Sequence, residues 1–211
     1  MATIYLWIWS LFISLLIFAL FFLYSLGLGV TPSWRMLNTV SANTGITVII
    51  LSLAIGTLSY FFPSVTRFIK YRKEIGIIGF LIVLFHIFVT LFYLRERFPF
   101  PASYLHGKSL LSFSAALVST CILTMMTLIS NSLAIKFFGK WWRRLLRVGY
   151  LAALLALLHM SLRETRSWSA YLQNIMEPPP LSILLLWFGV WVILLRISVY
   201  FLTRNKKTET G

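Results

Sequence analysis

Aspartate is missing from this 211-residue chain, and its five acidic residues are all glutamates. Charged residues make up only 11% of the composition, against about 25% in ordinary soluble domains. That deficit excludes a soluble globular protein. There is a single cysteine, Cys121, inside an apolar run. A disulfide framework is therefore excluded, as is a cysteine pair for zinc or covalently attached haem. The first residues carry no basic cluster ahead of their apolar run, so that run is read as a mature helix rather than a signal peptide. No internal repeat and no second domain is visible.

What is present is apolar and basic. Hydrophobic residues form 59% of the chain and its formal charge is +14. Such a charge could suit nucleic acid, but the Lys and Arg residues fall in clusters between apolar runs, which fits membrane orientation and anionic headgroups instead. No nucleic-acid partner is expected; the lipid bilayer is. Six runs are long enough to span it: residues 4–30, 46–62, 75–94, 109–135, a fifth ending near 162, and 181–202. The expected fold is an all-α, polytopic bundle of six transmembrane helices in one domain covering residues 1–211.

The loops after spans two and four and the tail hold twelve Lys/Arg, among them Arg67, Arg72, Lys136, Arg144, Lys206 and Lys207. The loops after spans one, three and five hold six: Arg35, Arg95, Arg97, Lys108, Arg163 and Arg166. By the positive-inside rule the basic loops and both termini are expected in the cytoplasm.

That topology makes spans three and five run in the same direction. His86 lies twelve residues past Glu74, and His159 twelve past Arg147. At about 1.5 Å per residue each sits roughly 18 Å in, slightly beyond the midplane of a core about 30 Å thick. Histidines at matched depth on parallel helices can face one another. Gly79 shares a helical face with His86, and Ala152 and Ala156 share one with His159, which leaves both helices thin where a flat macrocycle could lie. Arg163 and Arg166 follow His159 on its face and could neutralise two propionates. Haem ligation is one reading of this pair; structural hydrogen bonding and a quinone or proton role are the others. Small residues also serve close helix packing, and terminal arginines also snorkel to headgroups. His106, in a loop, reads as an ordinary exposed histidine.

The stretch 136–160 carries a resemblance. Gly139, Lys140, Trp142, Arg144, Leu145, Arg147, Tyr150 and Leu151, with His159 later in the same helix, resemble a segment of the ferric reductase-like transmembrane family. Within it the stretch is similar in particular to the haem-bearing membrane subunits of bacterial methionine sulfoxide reductase systems (MsrQ or YedZ). Arg72-Lys73-Glu74-Ile75-Gly76 leading to Leu84-Phe85-His86 is similar to a second family segment, and Thr44-Gly45 to a weaker third. The similarity covers about residues 44–165. Where the family has its first histidine in span five, on the cytoplasmic side, this chain has Leu146.

The resemblance implies one b-type haem in the outer half, with His86 and His159 as its axial iron ligands, in a bacterial-type cytoplasmic membrane. It implies an electron-transfer role, the chain being an oxidoreductase component that passes electrons to a redox partner or acceptor on the outer face. No nicotinamide or flavin domain is expected after span six, so the donor would be a cytoplasmic flavin reductase or membrane quinol. FMN or another flavin could dock on the cations and indoles of Trp141–Arg147; those residues otherwise serve as an interfacial anchor. The alternatives are a non-redox scaffold or transporter, and a haem-binding sensor, with structural histidines in the first.

Overall fold

A computed structural model describes residues 2–209, and the side chains of all of these except 2, 3, 143 and 204–209. Its elements are helical: α1 (Ala2–Gly27), α2 (Trp34–Phe61), α3 (Arg72–Phe92), α4 (Gly107–Leu128), α5 (Ser132–Phe138), α6 (Trp142–Leu145), α7 (Gly149–Gln173) and α8 (Leu181–Glu209). Among the described residues six helices are long and apolar enough to cross a membrane. The chain is a multi-pass, all-α integral membrane protein.

The second span starts well before residue 46, at Trp34, where the Ser33 hydroxyl accepts the Met36 amide at 3.2 Å. Its first turns carry Asn38, Ser41, Asn43 and Thr44, which are buried inside the bundle. A polar stretch can be helical here because the helix satisfies its own backbone, and the Ser41 and Thr47 hydroxyls bond back onto it while that of Thr44 is buried without a partner. Ser41 Oγ donates to the Leu37 carbonyl at 2.7 Å and Thr47 Oγ1 to Asn43 at 2.7 Å. The fifth span is also longer than expected: α7 continues through Arg163 and Arg166 to Gln173. The fourth is shorter, ending at Leu128, after which Asn131 caps the brief α5 by accepting the Ala134 amide at 2.9 Å.

Helix α2 is the centre of the bundle. It packs against α1, α3, α7 and α8, while α4 packs chiefly on α7. The α2–α3 pair approaches very closely at Gly45 and Gly79. A Cβ on Gly79 would lie 2.9 Å from Ile49 Cγ1 and 3.1 Å from the Gly45 carbonyl oxygen, and one on Gly45 only 2.7 Å from Val83 Cγ2. Only glycine permits that approach, the usual device for joining helices in lipid. Ile49, Ile50, Leu53, Phe80, Leu123, Ala152, Ala153 and Leu157 pack around the centre. Helix α1 stands at the edge: Ser10 and Ser14 face inwards, whereas Leu11, Phe12, Leu15 and Leu16 are exposed, as suits a lipid-facing surface.

Candidate functional site

Two pairs of antiparallel helices, α2/α3 and α4/α7, each position one histidine. His86, late in α3, points its Nδ1 at the backbone carbonyl of Asn38 at the start of α2, at 3.1 Å. His159, on α7, points its Nδ1 at the Ser112 carbonyl near the start of α4, at 3.0 Å, with Ser112 Oγ also at 3.0 Å. A carbonyl oxygen can only accept, so both carbonyl contacts are hydrogen bonds in the tautomer whose Nδ1 carries the proton and donates. Nε2 is thereby left with its lone pair in both rings. No hydrogen bond among the described residues uses either Nε2.

The two imidazoles are brought into one electrostatic neighbourhood: His86 lies within the fields of His159 and Arg163. Helices α3 and α7 are not themselves a closely packed pair, so the histidines belong to separate walls. Their partners, Asn38 and Ser112, were not singled out by sequence. The signal was their polarity in otherwise apolar surroundings, which alone does not show what they hold. Thr90 adds to the first clamp, donating to Asn38 Oδ1 at 3.1 Å and to the His86 carbonyl at 2.9 Å.

The remaining expected residues divide. Arg163 is exposed at the end beyond the histidines, its guanidinium carbon 5.1 Å from the centroid of the Phe98 ring. It lies within electrostatic range of both histidines and of Tyr104. The Tyr104 hydroxyl is buried with no hydrogen-bond partner, and burial raises its pKa while the Arg163 charge opposes that rise. The Tyr104 phenol O–H and the Arg163 guanidinium, within electrostatic range of each other, form a donor set suited to a carboxylate. Arg166 is exposed. Gly79 and Ala152 do not border free space: α2 fills the position beside Gly79. Ala152 is wholly buried, its carbonyl accepting Ser119 Oγ at 2.8 Å. Ala156 packs on the central cluster. These three residues join helices, and the room expected beside Gly79 and Ala152 is taken by α2 and α4. His106 is exposed, as expected of an ordinary loop histidine.

A cavity of about 920 Å³ lies at the opposite, basic end, and neither histidine lines it. Leu146 does, along with Lys140, Trp142, Arg144 and Arg147. The cluster proposed for flavin docking is thus split. Trp142 turns inwards and donates its indole N–H to the Ile129 carbonyl at 3.1 Å, while Trp141 is 55% exposed with the Arg144 guanidinium 4.3 Å from its ring centroid. The side chains of Arg143, Arg204, Lys206 and Lys207 lie outside the described residues. No family model and no curated protein matches the chain.

The donor set fits a haem in two respects: two imidazoles with Nε2 lone pairs, and an arginine in the field of both that shares its surroundings with the unpartnered phenol of Tyr104 and with Glu164. Metal-bound histidines characteristically donate their second N–H to a carbonyl or carboxylate, which fixes the ring and raises its basicity.

Proposed function

We propose that this chain is a membrane haem b electron-transfer protein, with His86 and His159 as the two axial ligands. The observation that supports it is the matched tethering of both Nδ1–H groups to backbone carbonyls of neighbouring helices, which leaves both Nε2 atoms as donors. The resemblance of residues 44–165 to the ferric reductase-like family supports it independently.

When bound, a b-type haem supplies a one-electron ferric/ferrous couple. The protein's part is to position and to exclude. Asn38 and Ser112 hold the rings at fixed angles from separate helices. His86 and His159 would hold the group through their Nε2 atoms. Arg163 and Tyr104 would offer a guanidinium and a phenol O–H to one of its carboxylates. With the basic end in the cytoplasm, as the positive-inside rule expects, electrons would enter from a cytoplasmic flavin reductase or membrane quinol and leave towards a redox partner at the outer face.

The absorption spectrum of detergent-purified protein tests this. A Soret band with sharp α bands after dithionite, lost in His86→Ala and in His159→Ala, is the expected result. Colourless protein from haem-replete cells would sink the proposal and leave the histidines as helix-joining groups.

A further inference from the structure

The basic-end cavity has a floor of two arginines that face no acid. Arg72, the first residue of α3, and Arg196, on α8 within a membrane span, are both half-buried. They lie within one another's electrostatic range, with Tyr150 between their fields. The Arg196 guanidinium carbon is 5.4 Å from the centroid of the Tyr150 ring. The Tyr150 hydroxyl is in turn fixed by Thr57 Oγ1 at 2.8 Å and donates to the Leu53 carbonyl at 3.2 Å.

Arg72 is built into this place. A Cβ on Gly56 would lie 2.5 Å from Arg72 Nη1 and 2.7 Å from its Cζ, so α2 is pared to glycine where the guanidinium crosses it. Ser52 anchors the backbone of the same residue, donating to the Arg72 carbonyl at 2.7 Å. Two like charges held in one another's range repel, and neither is offset by an acid among the described residues. Neither arginine forms an ion pair with a described residue, and no acidic residue lines the cavity. Lys73, Lys140 and Arg144 add exposed cations around the rim. The apolar lining is mainly aliphatic, Ile49, Leu53, Leu123 and Met126, with Phe80 and Trp142 among it.

We infer that this cavity binds an anionic phospholipid, its phosphate on Arg72 and Arg196 and its acyl chains along the aliphatic wall. The shared chemistry is a phosphate carried on an apolar body. Three features favour a lipid. The cavity lies at the basic ends of the spans, basic pockets between membrane helices are the usual headgroup sites, and Ile49, Leu53, Leu123 and Met126 give an acyl chain an aliphatic surface beside Phe80, Trp142 and Tyr150. The inference is independent of haem: it rests on none of the residues around His86 and His159.

The test is native mass spectrometry of the full chain after transfer from nanodiscs of phosphatidylcholine containing phosphatidylglycerol. Wild-type protein is expected to retain phosphatidylglycerol in preference to phosphatidylcholine. Arg72→Gln combined with Arg196→Gln should lower that retention about tenfold or more, as expected for lost charge-assisted hydrogen bonds. Arg67→Gln removes an exposed cation outside the cavity and should retain it normally. Arg196→Gln alone, which leaves the Gly56–Arg72 crossing intact, should weaken retention if the double variant fails to fold. Equal retention by all variants overturns the inference. So does stoichiometric FMN in place of lipid, or thermal stabilisation by inorganic phosphate equal to that by phosphatidylglycerol.

Discussion

Replacing Gly79 by alanine probes the contact that joins the two central helices and, through it, the setting of His86. The new methyl carbon would lie 2.9 Å from Ile49 Cγ1, 3.0 Å from the Ile49 amide nitrogen and 3.1 Å from the Gly45 carbonyl oxygen. Carbon atoms prefer about 3.5–4.0 Å. Two of these neighbours are backbone atoms of α2, so turning a side chain cannot relieve the crowding, and the helices must part by several tenths of an ångström. Overpacking of this kind costs about 1–3 kcal/mol. On the scale where 1 kcal/mol shifts the midpoint of a 150–250-residue protein by about 2–4 °C, Gly79→Ala should lower the Tm by about 2–12 °C. The His86–Asn38 hydrogen bond, now 3.1 Å, bridges the same pair and would stretch towards its limit of about 3.5 Å. Gly27→Ala is the control: nothing lies within 4 Å of its added carbon, and it should stay within about 0.5 kcal/mol of the parent. The assay is thermal unfolding in detergent. Gly79→Ala as stable as Gly27→Ala would refute the close α2–α3 approach.

Two other outcomes follow from named contacts. Tyr150→Phe loses the hydroxyl that pairs with Thr57 and Leu53 and should cost about 1 kcal/mol, read as a fall in Tm of about 2–4 °C; an unchanged Tm would argue against that buried pair. For orientation, Arg67→Cys and Arg97→Cys on a Cys121→Ser background place thiols at exposed positions at opposite ends. A membrane-impermeant maleimide should label Arg97→Cys in intact cells and Arg67→Cys only after permeabilisation, and the reverse would invert the topology.

The long spans were legible because they are apolar over more residues than any soluble core helix needs. Both histidines were legible because an ionisable residue at mid-depth stands out. The beginning of α2 was not. Asn38, Ser41, Asn43 and Thr44 read as a loop by polarity, yet they face the interior of a bundle, where Ser41 bonds back to its own helix and Asn38 accepts Thr90 of α3. Face-sharing by itself also could not say which neighbour covers Gly79 or Ala152. Helical periodicity gives a direction, and only the assembled bundle shows that α2 and α4 lie there. The same holds for the cavity: Arg72 and Arg196 are far apart in the chain, and nothing local predicts that they meet beside Tyr150.

The central claim is that both histidines ligate one haem, and its most direct test joins stoichiometry to ligation. Pyridine haemochrome analysis should give one haem b per chain, and electron paramagnetic resonance of the oxidised protein should give a low-spin ferric signal. His86→Ala and His159→Ala should each abolish that low-spin signal, leaving high-spin or absent haem. A low-spin signal that survives either substitution, or wild-type protein without haem, would contradict the account.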